Sequence, residues 1–506
     1  MKILGLTMGK SLQVFLQLHA RLQAADAGIE PPALYVSDSQ NFQAAMGQFP
    51  ALAGLAILKE WELTGRGGDV AVDRRRLAAY QAEAGGSLWH AILADRRLSF
   101  GPLSKAKQDY RSRYSEEELL AILDRALVAI DRFIDEVAPD AAISFGSATF
   151  GDYLFEVLLK KKEIPFWQIK ATKIANNVAM FDAGIDLPGN VIARFRSDEP
   201  FPAATREAAE RYIASVEKRG VKYEGAILFS RERMLRRLLR APQRLLGALR
   251  RDLRIRRDPV LRADPHLPPA FRSAWLTEVI HPLRTFALGR RLPLLSPPDI
   301  ERLGNFAFYP MHFEPEVSLQ VFGRPFQNQI ELVRALALSL PAGMRLLVKE
   351  HPRSLGFRKE AYYRKLLAIP NVRLVDPFVP TVDIVRRAGL VCVVSGSVGL
   401  EAIVLGKPLL VFGRTLYGLL PRGMVQQAVD LNGLDRQVIA FLKAYSFERE
   451  AVIRYLSTFL SLSAPVDLYT SMLNKPERYR EGDTAGEGDA YQRLAQLVLT
   501  RLGGSR

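Results

Sequence analysis

Residues 390–413 read LVCVVSGSVGLEAIVLGKPLLVFG and alternate between two apolar patterns. LVCVV is a short run rich in β-branched residues, which is typical of a buried strand. The small residues of SGS lead into VGLEAIVLG, whose apolar spacing indicates a helix, and KPLLVFG reads as the next strand. A strand, a helix and a strand in this order predict one unit of a parallel sheet with helices packed on its faces.

The alternation continues on both sides of this unit. NFAFYP, MRLLVKEHP and VRLVDP read as strands separated by helical patterns, so residues 301–425 predict one Rossmann-like domain. Between residues 1 and 200, strands such as MKILGLTM and AAISFG again alternate with helices, among them the periodic stretch 116–136. The sequence therefore predicts an α/β protein with two such domains. A mostly helical tail follows at 426–506, with a surface loop at 475–489.

Residues 201–300 differ from the rest of the chain. Their pattern is mainly helical, and 231–262 contains 12 arginines against three acidic residues, a net +9 of the chain's formal +16. We interpret the segment as a helical linker or insertion between the two domains. The prolines that predict interruptions of its helices are Pro242, Pro259, Pro265, Pro268, Pro269 and Pro282.

The arginine-rich stretch has three explanations. Its leucines recur near helical spacing, so it predicts a basic amphipathic helix. Such a helix can lie on an anionic membrane surface or pack its leucines on the protein itself, and the sequence favours neither. Nucleic acid is the weaker third candidate, and we predict no such partner, because no aromatic residues alternate with the arginines to stack on bases. The leucines are Leu235, Leu238, Leu239, Leu245, Leu246, Leu249 and Leu253.

Composition narrows the class of protein. Apolar residues make up 48% of the chain and the mean hydropathy is near zero, as in globular proteins. The single cysteine, Cys392, excludes a disulfide framework and a cysteine-built zinc site. The N-terminal stretch lacks a signal-peptide pattern, and no apolar run approaches the roughly 20 residues that span a bilayer. We therefore expect a cytoplasmic protein that is soluble or peripheral at the inner membrane.

Three strands of the second predicted domain end in polar residues, at the edge where parallel sheets bind ligands. The most informative end is the turn 395–401, SGSVGLE, where a strand runs through small residues into a helix. Open main-chain N–H groups and the helix dipole favour a phosphate there. Ser395 and Ser397 can add hydroxyl donors, and Glu401 can accept from ribose hydroxyls. The alternative is structural, with Gly396 and Gly399 serving a tight turn and Glu401 complementing the helix dipole.

The other two strand ends add candidate residues. In VKEHP, His351 can donate to a phosphate oxygen and Lys349 raises the local positive potential. The alternative for this stretch is a strand-end turn with a capped histidine. Tyr309 and His312 can face a cleft or simply fix the loop that follows NFAFYP. The candidate cleft residues of that loop are Tyr309, His312, Glu314 and Glu316.

Four stretches carry a recognisable joint pattern: FYPMHFEPE (308–316), VKEHP (348–352), VDPFVP (375–380) and SGSVGLEAIVLGKPLLVFG (395–413). In this order they resemble the capsule polysaccharide biosynthesis family, which includes the β-Kdo transferases of capsule assembly. A looser similarity lies at 150–170, FGDYLFEVLLKKKEIPFWQIK. The resemblance implies a GT-B fold, in which two Rossmann-like domains face a cleft. It also implies a nucleotide-sugar donor in the second domain and a glycan or glycolipid acceptor in the first.

The resemblance further implies where the donor binds. The chain departs from the family in two places, because Glu314 stands where members often have Gln and Ala171-Thr172-Lys173 stands where they have an arginine-rich stretch. CMP-Kdo is therefore one candidate donor among several nucleotide sugars, and no cofactor is expected. The residues that the resemblance places around the donor nucleotide are His351, Ser395, Ser397 and Glu401.

An inverting transfer needs a general base for the acceptor hydroxyl and stabilisation of the departing phosphate. The predicted anion site serves the second purpose without a metal. For the base we predict Asp152, which follows the strand AAISFG, with His312 as another candidate; the alternative role for Asp152 is a helix N-cap. The prediction is a metal-independent glycosyltransferase of surface polysaccharide synthesis. The rivals are a nucleotide-sugar epimerase of the same fold and a non-catalytic factor of polysaccharide assembly or export.

Overall fold

The structure is a computed structural model. It describes residues 1–65, 72–104, 106, 113–146, 149–226, 230–428, 430–475, 478–479 and 487–503. Most of the predicted surface loop 475–489 lies outside the described residues.

Strands of the described residues form two sheets. The first six strands are β1 (Ile3–Thr7), β2 (Ala33–Val36), β3 (Ile57–Lys59), β4 (Ala141–Ser144), β5 (Phe166–Ala171) and β6 (Asn177–Phe181). The others are β7 (Leu294–Leu295), β8 (Phe306–Pro310), β9 (Arg345–Lys349), β10 (Val372–Val375), β11 (Leu390–Val393), β12 (Leu409–Val411), β13 (Val425–Gln427) and β14 (Ser463–Pro465).

The strand orders are those of two doubly wound sheets. The first is β14-β6-β5-β4-β1-β2-β3, with β3 to β5 parallel and β6 and β14 antiparallel to their neighbours. The second is β13-β12-β11-β8-β9-β10-β7 and is parallel throughout. After β1 and after β8 the chain winds to one side and then to the other, so the order reverses between β1 and β4 and between β8 and β11. The predicted α/β, GT-B-like fold with two Rossmann-like domains is confirmed.

Helices cover both faces of each sheet, because successive strand residues point to opposite faces and both sets are buried. The first ten are α1 (Ser11–Ala25), α2 (Ser39–Gln48), α3 (Glu60–Thr64), α4 (Arg74–Ala84), α5 (Trp89–Ala94), α6 (Arg96–Ser99), α7 (Glu116–Val137), α8 (Phe150–Lys161), α9 (Gly189–Arg196) and α10 (Ala203–Arg219). The others are α11 (Arg231–Arg257), α12 (Pro259–Ala263), α13 (Ala270–Ala274), α14 (His281–Arg291), α15 (Pro297–Glu301), α16 (Val317–Gln320), α17 (Gln329–Ser339), α18 (Glu360–Leu367), α19 (Thr381–Arg387), α20 (Val398–Val404), α21 (Leu434–Ala444), α22 (Arg449–Ser461) and α23 (Glu487–Gly503).

The predicted linker 201–300 and tail 426–506 do not form separate domains. Parts of these segments pair with or pack on the two domains. The linker is mainly helical, but its end supplies β7 to the edge of the second sheet. In the tail, α21 packs on α17 of the second domain, whereas β14 pairs with β6 and α23 packs on α1 of the first. The helices α10 and α22 pack on each other and join the two segments. The C-terminal part of the chain therefore returns to the first sheet.

Two predicted interruptions are wrong. Pro282 lies inside a helical run, 270–291, that continues without a break through a π-helical stretch at Trp275–Ile280. Pro242 lies inside α11, a helix of 27 residues that continues on both sides of the proline. A proline within a helix removes one hydrogen bond and crowds the preceding turn. Here the helix buries Met234, Ala241 and Ala248 against the protein on both sides of the proline. This packing holds the helix together where local preference would break it.

Candidate functional site

The two switch points, where strand order reverses, face a shared cavity of about 950 Å³. Met8, after β1, and Phe145, after β4, line it from the first domain, and Glu316 and Ser395, after β8 and β11, line it from the second. Ligands of doubly wound sheets bind at this position, and pockets of this size hold small molecules. The cavity is therefore the candidate active site. Of the predicted site residues, Asp152, Glu316 and Ser395 lie in its wall.

The turn after β11 contributes Ser395 to the cavity wall, whereas Gly396 and Ser397 do not line the cavity. The hydroxyl of Ser395 donates to the Ser318 carbonyl at 3.0 Å and fixes the start of the turn. A Cβ on Gly396 would lie 3.3 Å from Cε1 of His312, so the residue keeps the turn and the histidine in contact. Among the described residues the N–H groups of Gly396 and Ser397 have no hydrogen-bond partner, whereas that of Gly399 donates to the Gly396 carbonyl at 3.1 Å. Both amides are therefore open where the strand ends.

Two tyrosines that the sequence analysis missed hold this turn. Tyr417 donates its hydroxyl to the Gly396 carbonyl at 3.0 Å and accepts from the Leu400 amide at 3.1 Å. Its ring lies against Gly399, where a Cβ would come within 2.5 Å of the ring. Tyr223, from the linker, hydrogen-bonds Ser397. Both tyrosines are distant in sequence from the turn, so no local pattern could have pointed to them.

The structure gives Glu401 and Lys349 partners inside the chain. One oxygen of the Glu401 carboxylate accepts from the Val221 amide at 2.9 Å, and burial raises the pKa of this buried group. Lys349 donates to the Thr381 hydroxyl at 2.7 Å, and burial lowers its pKa to about 8. Neither side chain lines the cavity. The expectation that the Glu401 carboxylate is wholly free to bind ribose is therefore wrong.

His312, His351 and Glu316 form a cluster, and of the three only Glu316 lines the cavity. His312 Nδ1 lies 3.6 Å from a Glu316 carboxylate oxygen, and the Arg353 amide donates to His351 Nδ1 at 3.1 Å. Burial opposes the charge of Glu316, but the hydrogen bond with His312 and the positive potential of His312, His351 and Lys173 outweigh it and lower its pKa. Burial lowers the pKa of His351 to about 4. Glu316 is thus an ionised group at neutral pH in the cavity wall.

Tyr309 and Glu314 do not face the cavity. The sequence had left open whether such residues face a cleft or fix the loop. Tyr309 is fully buried, and its hydroxyl donates to the Gln329 side chain at 3.2 Å. Glu314 pairs with the buried guanidinium of Arg358 at 3.1 Å and accepts from Gln329. Gln329 also accepts from the His312 amide at 2.7 Å. Both residues anchor the loop that carries His312 and Glu316.

Asp152 lies in the first turn of α8, where its amide donates to the hydroxyl of Thr149 at 3.0 Å. The N-cap is Thr149, so the alternative role predicted for Asp152 is wrong. Its side chain lines the cavity from the first domain. Burial and then the nearby Glu60 carboxyl raise the pKa of Asp152 to about 8. This carboxyl group therefore titrates near neutral pH, as many catalytic acids and bases do.

A buried polar network stands behind Asp152. Arg97 donates to the Asp95 carboxylate at 3.0 Å and also pairs with Glu60. The Glu60 carboxylate accepts a hydrogen bond from the Tyr35 hydroxyl. The Phe150 amide, at the start of α8, donates to Asp95 at 3.1 Å. Burial raises the pKa of Glu60 to about 7. This network fixes the N-terminus of α8 and sets the negative potential that Asp152 experiences.

The raised pKa of Asp152 predicts a pH-dependent stability. Between about pH 4 and pH 8 the folded protein keeps a proton that the unfolded chain releases, so this group lowers the unfolding free energy as pH rises. The unfolding free energy of wild type should therefore fall more between pH 5 and pH 8.5 than that of Asp152→Asn. The difference should be on the order of several kcal/mol, because one pKa unit corresponds to about 1.4 kcal/mol. Urea unfolding at both pH values measures this. The exposed Glu136→Gln should follow wild type, and equal pH dependence of Asp152→Asn and wild type would contradict the assignment.

A comparison with protein families finds a match in the second domain. Residues 287–429 match the model described as capsule polysaccharide biosynthesis protein. The match covers less than a third of the chain. This capsule biosynthesis region (287–429) contains β8 to β13, the His312–Glu316 loop and the turn after β11. The resemblance seen in the sequence is confirmed.

Comparison with solved structures finds distant similarities. The KpsC β-Kdo 2,7-transferase of Thermosulfurimonas dismutans is 14% identical, with a TM-score of 0.35 over 76% of this chain and 90% of that one. The β-Kdo 2,4-transferase of the same KpsC is 11% identical, with a TM-score of 0.35 over 63% and 79%. UDP-GlcNAc 2-epimerase of Neisseria meningitidis, bound to UDP-GlcNAc, is 12% identical, with a TM-score of 0.28 over 99% and 100%. No curated protein matches the chain.

Two lysines from the first domain face the capsule biosynthesis region across the cavity. Lys170 and Lys173 line the cavity at the position where the sequence departs from the family's arginine-rich stretch. Neither makes an ion pair among the described residues. Burial and the charge of Lys173 lower the pKa of Lys170 to about 8, and Lys173 has left-handed backbone geometry, with φ 67°. Two half-buried cations in one cavity wall, neither with an ion-pair partner among the described residues, favour an anionic ligand.

Arg414 connects the two walls of the cavity. It follows β12 in the capsule biosynthesis region and donates to Asp186 at 2.8 Å and to the Ile185 carbonyl at 2.9 Å, both in the first domain. Its own amide donates to the Phe322 carbonyl at 2.9 Å. The contact closes one side of the cavity. No spacing in the sequence indicated it, because its partners come from another domain.

Proposed function

We propose that the chain is a glycosyltransferase that moves a sugar from a nucleotide-activated donor to a capsular or other surface polysaccharide, or to a glycolipid. The observation that carries the proposal is the position of the capsule biosynthesis region. Its strand ends form one wall of the interdomain cavity, and Asp152 lies in the other wall. A donor and an acceptor bound by different domains would meet in this space.

Two features support an anionic donor. The open amides of Gly396 and Ser397 can each donate a hydrogen bond to a phosphate oxygen. Lys170 and Lys173 supply positive charge to the same cavity. These groups would stabilise the charge that develops on the departing phosphate. Metal independence, inversion of configuration and the identity of the sugar stay predictions, with Kdo as one candidate.

The proposed reaction is a single displacement. Asp152, in its ionised form, takes the proton of an acceptor hydroxyl while the hydroxyl oxygen bonds to the anomeric carbon of the donor. The bond between that carbon and the phosphate oxygen breaks, and the nucleotide leaves with the electron pair. A base with a pKa near 8 is well matched to this step close to neutral pH. Glu316, with His312 beside it, is the competing base.

The turn provides a prediction about donor affinity. Tyr417→Phe removes the hydroxyl that links the Gly396 carbonyl to the Leu400 amide, so the turn loses its support while the ring stays in place. We expect the Kd of the donor, measured by calorimetry, to rise on the order of fivefold, the value of about one hydrogen bond. Tyr445→Phe is the control, because that hydroxyl has no hydrogen-bond partner among the described residues. Unchanged affinity in Tyr417→Phe would contradict the role of the turn.

The function is tested by a donor screen and a transfer assay. CMP-Kdo and common UDP-, GDP- and CMP-sugars are screened by thermal shift, and donors that bind are incubated with and without glycolipid acceptors. We expect a sugar–acceptor product by mass spectrometry only when donor and acceptor are both present. A new sugar isomer without acceptor would identify an epimerase instead, and glycan binding without turnover would identify an assembly factor. Lys170→Ala, which removes a cation from the cavity wall, should weaken donor binding, whereas His90→Ala, whose side chain does not line the cavity, should not.

A further inference from the structure

The long helix α11 has two apolar seams with the same spacing. One seam is buried and packs on the protein, as the sequence allowed. The other stays in solvent, and its leucines are between 44% and 74% exposed. A soluble helix ordinarily exposes polar residues on the face that does not pack. The exposed seam contains Leu235, Leu239, Pro242, Leu246, Leu249 and Leu253.

Unpaired arginines flank the exposed seam. Arg250, Arg254 and Arg257 are exposed and make no ion pair among the described residues. Others on the helix do have acidic partners, such as Arg244 with Glu278. A stripe of leucines beside a row of free guanidinium groups matches a bilayer surface, where acyl chains lie next to anionic headgroups.

The helix also reaches the candidate active site. It is about 40 Å long at 1.5 Å per residue, and Arg231 at its start pairs with Asp376 of the second domain. Near its end, Arg251 and Ile255 line the interdomain cavity. Beyond it, Asp264 accepts from the Ser39 hydroxyl of the first domain at 2.7 Å. The seam therefore lies on an element that borders the cavity.

We propose that the exposed seam of α11 docks the protein on an anionic lipid surface. None of the helices in the described ranges is long and apolar enough to cross a membrane, so the contact is peripheral. A second copy of the chain is disfavoured as occupant, because two strongly basic helices would be brought together. Nucleic acid would neutralise the arginines but leave the leucines in water. An anionic bilayer accommodates both.

The test is vesicle flotation of the full chain. Wild type should bind vesicles of phosphatidylcholine with phosphatidylglycerol, should not bind phosphatidylcholine alone, and should dissociate at high salt. Leu239→Glu with Leu246→Glu should lower the partition coefficient at least tenfold. Leu338→Glu is the matched control, because this leucine is 69% exposed but lies on α17 of the second domain, away from the seam.

A second variant addresses charge alone. Arg250→Gln, Arg254→Gln and Arg257→Gln together should lower the partition coefficient on the order of a hundredfold, from the contribution of each cation near an anionic surface. Circular dichroism checks that both variants stay folded. Binding of wild type to neutral and anionic vesicles alike, or to neither, would overturn the proposal. So would a dimer in light scattering that the leucine variant converts to a monomer, because the seam would then bind a second copy.

Discussion

Replacing Asp152 with Asn should reduce the turnover of sugar transfer by about 10²–10⁴, the usual contribution of a general base. Donor affinity should stay unchanged, because Asp152 belongs to the first domain and the proposed phosphate contacts belong to the turn after β11 and to two lysines. The substitution keeps the shape of the side chain and its place in the first turn of α8. Steady-state kinetics with the donor identified by screening measures turnover and KM separately.

The pH profile of the same reaction gives a second signature. Because the pKa of Asp152 is about 8, the ionised base becomes more abundant between pH 6 and pH 8, and kcat/KM should rise over that range. Glu316→Gln is the matched comparison, since Glu316 lines the same cavity but has a lowered pKa. A profile that is flat above pH 6, together with lost activity in Glu316→Gln and retained activity in Asp152→Asn, would transfer the role of base to Glu316.

Replacing Arg358 with Ala should destabilise the second domain by about 3–5 kcal/mol, the range expected when one partner of a buried ion pair is removed. The guanidinium is 2% exposed, pairs with Glu314 and Glu350, and donates to the His312 carbonyl at 3.1 Å. Two carboxylates would be left buried without their cation. Thermal and urea unfolding measure the loss, which we expect to exceed that of most single substitutions.

The control for Arg358 lies on the next helix. Arg364 pairs with Glu360 at 2.6 Å within α18, but its side chain is 74% exposed. Arg364→Ala should change the unfolding free energy by less than about 1 kcal/mol, because water replaces an exposed partner. Similar effects of the two substitutions would mean that the Glu314–Arg358–Glu350 cluster does not anchor the loop that carries His312.

The fold could be predicted because its signals are local. The alternation of β-branched runs and amphipathic helices marked both sheets, and the observed α7, Glu116–Val137, begins and ends within one residue of the predicted 116–136. Features that depend on distant partners were missed. β14 gains its place only by pairing with β6, and α11 passes through Pro242 because its other residues are packed.

The candidate site, like the fold, could be predicted only where its signals are local. Strand ends showed which polar residues reach the correct edge of the sheet, and Ser395, Glu316 and Asp152 indeed line the cavity. Whether a carboxylate at that edge faces ligand or protein depends on partners far along the chain. Arg358 takes Glu314 into the interior, and the Val221 amide occupies one oxygen of Glu401. No spacing around either glutamate could have indicated this.

The central claim is that the turn after β11 binds the phosphate of a nucleotide in the interdomain cavity. The most direct measurement is a crystal structure of the full chain with whichever of CMP, UDP or GDP raises the Tm most. We predict phosphate oxygens within hydrogen-bond distance of the Gly396 and Ser397 amides, with Lys170 or Lys173 nearby. A nucleotide bound outside the cavity, or inside it with its phosphate away from residues 395–398, would contradict the claim.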